Sequence, residues 1–139
     1  METNEIKIQS IINADSKKVW EYYTKPEHIT QWNFASPDWC CPNAENDMTV
    51  GGKYRARMEA KDGSFGFDFE AIYTQIESGK QFSYALADNR KITVCFEPLD
   101  DKTNVIIVFD AENENPVEMQ KSGWQAILNN FKSYSESKA

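Results

Sequence analysis

The feature that most constrains this chain is a change of hydrophobic period along it. From Lys53 to Phe109 apolar residues recur at every second position, segment after segment, and after Asn115 they recur at helical spacing. Alternation puts successive side chains on opposite faces of a strand, so each such segment has one face to bury. Tyr54, Ala56 and Met58 alternate with Lys53, Arg55, Arg57 and Glu59. Asp62-Gly63 marks a hairpin, and beyond it Phe65, Phe67, Phe69 and Tyr73 share a face opposite Asp68 and Glu70. Ser78-Gly79 and Asp88-Asn89 bracket a strand whose inner face is Phe82, Tyr84 and Leu86. Ile92, Val94 and Phe96 alternate next, up to Pro98. After a turn at Asp100-Asp101-Lys102, the run from Val105 to Phe109 is apolar on both faces, which predicts a strand covered on both sides.

The flanks supply helices. Ile6, Ile8 and Ile12 alternate as a first strand, and Asp15 is placed to cap a short helix carrying Val19, Trp20 and Tyr23. Thr24-Lys25-Pro26-Glu27 predicts a second short helix, with Thr24 as cap, Pro26 in the first turn, and Ile29 and Trp32 on its apolar side. The stretch from Asn33 to Thr49 has no convincing period and reads as an irregular segment ending at a Gly51-Gly52 bend. Asn115, Pro116 and Glu118 predict a capped start to a long terminal helix, whose stripe is Val117, Lys121, Trp124, Ile127, Leu128 and Phe131. The order is strand, two short helices, antiparallel meander, long helix. That is an α+β fold in which the terminal helix is the element long enough to lie across the sheet.

The chain's 139 residues fit a single domain, 1–139. Acidic residues outnumber basic ones 22 to 15, and no basic run is present, so neither nucleic acid nor an anionic membrane is an expected partner. Met1-Glu2-Thr3-Asn4-Glu5 has no secretory character, and three cysteines do not suggest a disulfide framework, so the expected compartment is the cytoplasm.

The ordered set Asn13-Ala14-Asp15 to Val19-Trp20, Thr24-Lys25-Pro26-Glu27 to Gln31-Trp32, Val50-Gly51-Gly52-Lys53-Tyr54-Arg55, Met58 to Asp62-Gly63, Phe69-Glu70-Ala71, Thr93-Val94-Cys95-Phe96, Thr103, and Gly123-Trp124 to Leu128 resembles the SRPBCC group. This group has the START-like and pollen-allergen-like helix-grip fold. Within it the likeness is to the branch named for the activator of the heat-shock-protein-90 ATPase, through that protein's C-terminal domain. The resemblance implies a curved antiparallel sheet wrapped around the long C-terminal helix, with a cavity between them. Its members include binders of lipids and other hydrophobic molecules, cyclases and hydrolases, and chaperone-assisting proteins, so it does not select one function.

Aromatics make up 13% of the chain, and many fall on the faces that should converge under the helix. The expected cavity lining is Trp32, Phe34, Trp39, Tyr54, Met58, Phe67, Phe69, Tyr84, Phe96, Trp124 and Leu128, with the segment 33–48 as its gate. Alternation marks an inner face without reporting a void, so a filled aromatic core fits the pattern equally well. Other chemistry is weaker. Cys40-Cys41 are too close for a zinc half-site, and His28 is the one histidine, so no metal is expected. No nucleophile motif accompanies His28 as a general base, and no cofactor motif is present. Asp68 with Glu70, and Asp110 with Glu112, are spaced as carboxylate pairs but read as solvent-facing. Arg55 and Arg57 are expected to point outward. The expectation is a binder of a small hydrophobic or aromatic molecule. The alternatives are a stress-response or chaperone-associated interaction module, and an enzyme using polar groups in the cavity. Monomer and homodimer both remain open.

Overall fold

The computed structural model describes residues 5–112 and 115–138. Met1 to Asn4, part of the stretch read above for a targeting signal, lie outside the described residues. The elements run β1 (Glu5–Ile12), α1 (Ser16–Thr24), α2 (Pro26–Ile29), β2 (Trp39–Cys40), β3 (Ala44–Asn46), β4 (Lys53–Ala60), β5 (Gly66–Glu77), β6 (Gln81–Ala85), β7 (Lys91–Leu99), β8 (Lys102–Asp110) and α3 (Val117–Lys138). One eight-stranded antiparallel sheet is ordered β1-β8-β7-β6-β5-β4-β2, with β3 also on β4. The strands from β4 to β8 meet their sequence neighbours through turns, and β1 closes the other edge by pairing with β8, Ile8 opposite Ile107. With α3 across one face, this is the helix-grip arrangement.

Local sequence accounts for most of the frame. Asp15 caps α1, its carboxylate accepting from the Lys18 N–H at 3.0 Å. Gly63 takes φ +77° in the β4–β5 hairpin, a region that excludes most side chains. Gly52 is required for space instead: a Cβ there would lie 2.3 Å from the Asp47 carbonyl. The inner residues Ile6, Ile8, Tyr54, Ala56, Tyr73, Phe82, Ile92, Val94, Val105, Ile107 and Phe109 are all buried, as alternation requires.

Three local expectations are corrected. Thr24 does not cap α2; it ends α1, and its hydroxyl donates back to the Trp20 carbonyl at 2.7 Å, leaving Lys25 as the cap residue. β8 is covered on one face only, because α3 lies on the side of Val105, Ile107 and Phe109 and leaves Ile106 and Val108 half-buried. The approach to α3 is held by Gln120. Its Oε1 accepts from the Glu112 N–H, and its Nε2 donates to the carbonyls of Glu112 and Asn115. The segment after Asn33 is stitched to the sheet edge: Trp39 pairs with Ala60 and Ala44 with Ala56. Asn46 Nδ2 donates to the Thr24 carbonyl, while Tyr73 Oη donates to Asn46 Oδ1 at 2.6 Å.

The helix docks through its second half. Leu128, Phe131 and Ser135 are buried, and Asn130 Nδ2 donates to the carbonyls of Trp32 and Phe34. Lys132 Nζ donates to the Ile11 carbonyl, and Glu136 accepts from the Asn13 N–H. Among the described residues no helix is long and apolar enough to cross a membrane.

Candidate functional site

The interior divides into a filled half and an open half. On the filled side α1 drives Trp20 and Tyr23 against Phe82 and Phe96, with ring centroids 5.1–6.0 Å apart. On the other side, the first half of α3 stands off the sheet over a partly open cavity of about 180 Å³. Trp124, Ile127 and Leu128 form its roof. Tyr54 and Met58 of β4, Phe67 and Phe69 of β5, Tyr84 of β6 and Ile107 of β8 form the concave wall. Tyr23, Trp32 and Asn33 close the inner end. The roof is fixed by Trp124, which stacks on Phe109 at 4.2 Å and 19°. Phe67, 43% exposed, stands at the mouth.

The lining has no charged side chain; its polar groups are three phenols, one amide and the indole N–H groups of Trp32 and Trp124, the first of which donates to the Tyr22 carbonyl at 2.9 Å. Asn33 Nδ2 donates to Tyr54 Oη at 3.3 Å, which leaves the Tyr54 proton unspent. Burial, and then the neighbouring tyrosines, push Tyr54 and Tyr84 well above the ordinary phenol range. Tyr23 is pushed the same way by burial and by Tyr73. Tyr23 keeps accessible surface although it is enclosed by protein, as a group facing an internal space does. The hydroxyls of Tyr23 and Tyr84 find no hydrogen-bond partner among the described residues, yet neither is sealed from accessible space. All three phenols therefore stay protonated at neutral pH and present O–H groups to the cavity.

Of the eleven residues expected to line a cavity, eight do: Trp32, Tyr54, Met58, Phe67, Phe69, Tyr84, Trp124 and Leu128. Three do not. Phe96 is consumed by the filled half, against Trp20 and Tyr23. Phe34 lies just past the inner end, where its backbone carbonyl is used by Asn130. Trp39 sits outside on β2, packing on Phe65 and Phe67 at 6.0 and 6.2 Å. Tyr23, Asn33, Ile107 and Ile127 line the space without having been singled out for it. Ile107 and Ile127 carried periodic signals, whereas Asn33 opens a stretch with none.

The other candidates stand apart from the cavity. His28 is hydrogen-bonded through Nδ1 to Tyr134 Oη, joining α2 to α3. Asp68 lies between Arg55 and Arg57, and Glu70 pairs with Lys53, all on the outer face as expected. Asp110 accepts from the Lys91 N–H and Glu112 from the Asn115 N–H, so these two do not work as a pair. Cys41 is buried beside Asn33, with burial and Cys40 pushing its thiol up to about 11, so it is a neutral thiol rather than a nucleophile. Among the described residues no cluster of three metal-ligating side chains occurs.

Comparison with known proteins gives one consistent picture. The family model described as Activator of Hsp90 ATPase homolog 1-like protein matches residues 13–136. The chain is similar to the solution structure of an AHSA1-like protein from Aeromonas hydrophila, with 38% identity, 97% of this chain and 94% of that one covered, and TM-score 0.91. It is also similar to a solution structure from Cytophaga hutchinsonii, with 44% identity, 96% and 93% covered, and TM-score 0.83. A protein of unknown function from Staphylococcus aureus shares the fold at 19% identity, with 99% and 96% covered and TM-score 0.76. No curated protein matches.

Proposed function

We propose that this chain, which belongs to the family of Activator of Hsp90 ATPase homolog 1-like proteins, is a binding module for a small apolar molecule held between the sheet and α3. The observation that carries the reading is the ring-lined, uncharged cavity of about 180 Å³ under Trp124. Burial of apolar ligand surface contributes roughly 25 cal/mol per Å² before the costs of association. Proton transfer is poorly served there, since the lining has no carboxylate or imidazole and the nearby Cys41 thiol is neutral. A reducing cytoplasm, in keeping with the free cysteines, is part of the proposal.

The test is native mass spectrometry of the purified protein, followed by thermal melting with a panel of small apolar compounds. A retained molecule, or a stabilisation that grows with concentration to about 2.7 kcal/mol at a hundredfold excess over Kd, is the expected result. A clean unliganded mass with no compound shifting the melt overturns the reading.

A second reading has one observation in its favour. Trp39, Phe65 and Phe67 form an aromatic cluster at the β4–β5 hairpin, with Phe65 61% exposed. Such a patch suits contact with another protein. The family name points to a chaperone ATPase as the class of partner. Pull-down with that chaperone, lost in Phe65→Ser, is the result this reading expects.

A further inference from the structure

Resting on the binding reading, three properties of the cavity narrow its occupant. The first is size. An apolar cavity of about 150 Å³ in another protein accommodates benzene. The space here, about 180 Å³, therefore holds one ring with a small substituent unless Phe67 moves out of the mouth. The second is charge. With no ionised side chain in the lining, an anionic or cationic ligand would lose its hydration without gaining a counter-charge.

The third is hydrogen-bond polarity. Tyr54 already accepts from Asn33, so what it has left to offer is its proton. Tyr84 is 4% exposed, has no partner among the described residues and faces the same space, as does Tyr23. The rings of Tyr54 and Tyr84 are 5.5 Å apart. The lining thus brings three O–H protons, beside the indole N–H of Trp124, to an otherwise greasy pocket, with no carboxylate or imidazole there to take them. A pure hydrocarbon entering would strip water from these hydroxyls without replacing its bonds.

We infer that the occupant is an uncharged molecule of about one ring, bearing an acceptor oxygen of the carbonyl type that is received by the hydroxyls of Tyr23, Tyr54 and Tyr84. Its ring lies against Phe69 and Trp124, which meet edge to face with centroids 6.2 Å apart. The phenols fix which end goes in first.

The experiment compares three probes of nearly equal size by NMR titration of the whole chain: acetophenone, α-methylstyrene, in which the carbonyl oxygen is replaced by a methylene, and benzoate. The expected result is about tenfold tighter binding of acetophenone than of α-methylstyrene, as two or so modest hydrogen bonds would give, and weaker binding of benzoate than of either. In Tyr23→Phe/Tyr84→Phe that preference should fall to about threefold or less, with α-methylstyrene binding retained as the control for an intact pocket. Equal binding of the two neutral probes, a preference for benzoate, or a preference that survives the double variant overturns the inference and leaves the binding reading standing. If no probe binds and the broader panel also fails, the binding reading falls and the inference with it.

Discussion

Thr103 shows how a single side chain can tie distant parts of this fold. It is fully buried at the start of β8, and its hydroxyl donates to the Ala14 carbonyl at 2.8 Å, across from the turn that leads into α1. Thr103→Val keeps the volume and deletes the donor, leaving that carbonyl without its partner. The expected loss is about 1–2 kcal/mol, seen as a lower urea midpoint with an unchanged slope. An unchanged midpoint would mean that Ala14 finds another donor. At this scale the sequence was uneven. The buried aromatics were legible because each sits in a periodic segment. Asn33 was not, because an amide in a stretch without a period gives no sign that it will meet Tyr54 in the interior. Trp39 was misplaced for the same reason: a ring in an irregular segment has no marked position, and the pairing of β2 with β4 set it opposite Ala60 at the sheet edge, where it packs on Phe65 and Phe67 beyond the cavity.

Among the elements, α3 joins a docked half to a standing half. Phe131 is fully buried edge-on against Tyr23 and Trp32, with centroids 5.0 and 4.9 Å away, whereas Val117 in the first turn is 40% exposed. Phe131→Ala should therefore cost about 3–5 kcal/mol, while Val117→Ala should stay within about 0.5 kcal/mol. Chemical denaturation of the two variants side by side checks this. Similar losses would show that the helix is held along its whole length. The helix itself was legible from the spacing of Trp124, Ile127, Leu128 and Phe131. Its unequal docking was not, because a hydrophobic stripe records which side is buried and not how closely the opposing surface approaches. β8 gives a parallel case. Ile106 and Val108 are as apolar as their neighbours, yet among the described residues no second layer covers them on the sheet's outer face.

For the whole molecule, the enclosed tyrosines and the buried thiol set a response to alkali. Burial raises Tyr23, Tyr54, Tyr73 and Tyr84 above the ordinary phenol range and pushes Cys41 up to about 11. In the unfolded chain these groups titrate near pH 9–10, so above that range the folded state holds more protons than the unfolded one. Their contribution is complete below about pH 8.5 and is lost as pH rises toward and past 11. Urea midpoints should thus be level from pH 7 to 8.5 and fall progressively above it. A flat profile to pH 11 would show that these groups are hydrated in the folded protein.

Outside the stretch 33–49, the sequence by itself determined the elements, their order and, the outer face of β8 apart, which face of each turns inward, because periods of two and of 3.6 are properties of a local backbone and need no partner to be read. The curved sheet and its gripping helix followed from the family resemblance added to these. Whether the aromatics meet or leave a space was decided only in the tertiary structure. A void is the difference between the volume that the packed elements enclose and the volume their side chains fill. Here that difference turns on residues far apart in the chain: α1 fills one end with Trp20 and Tyr23, and the Phe109–Trp124 stack holds the helix off the sheet at the other.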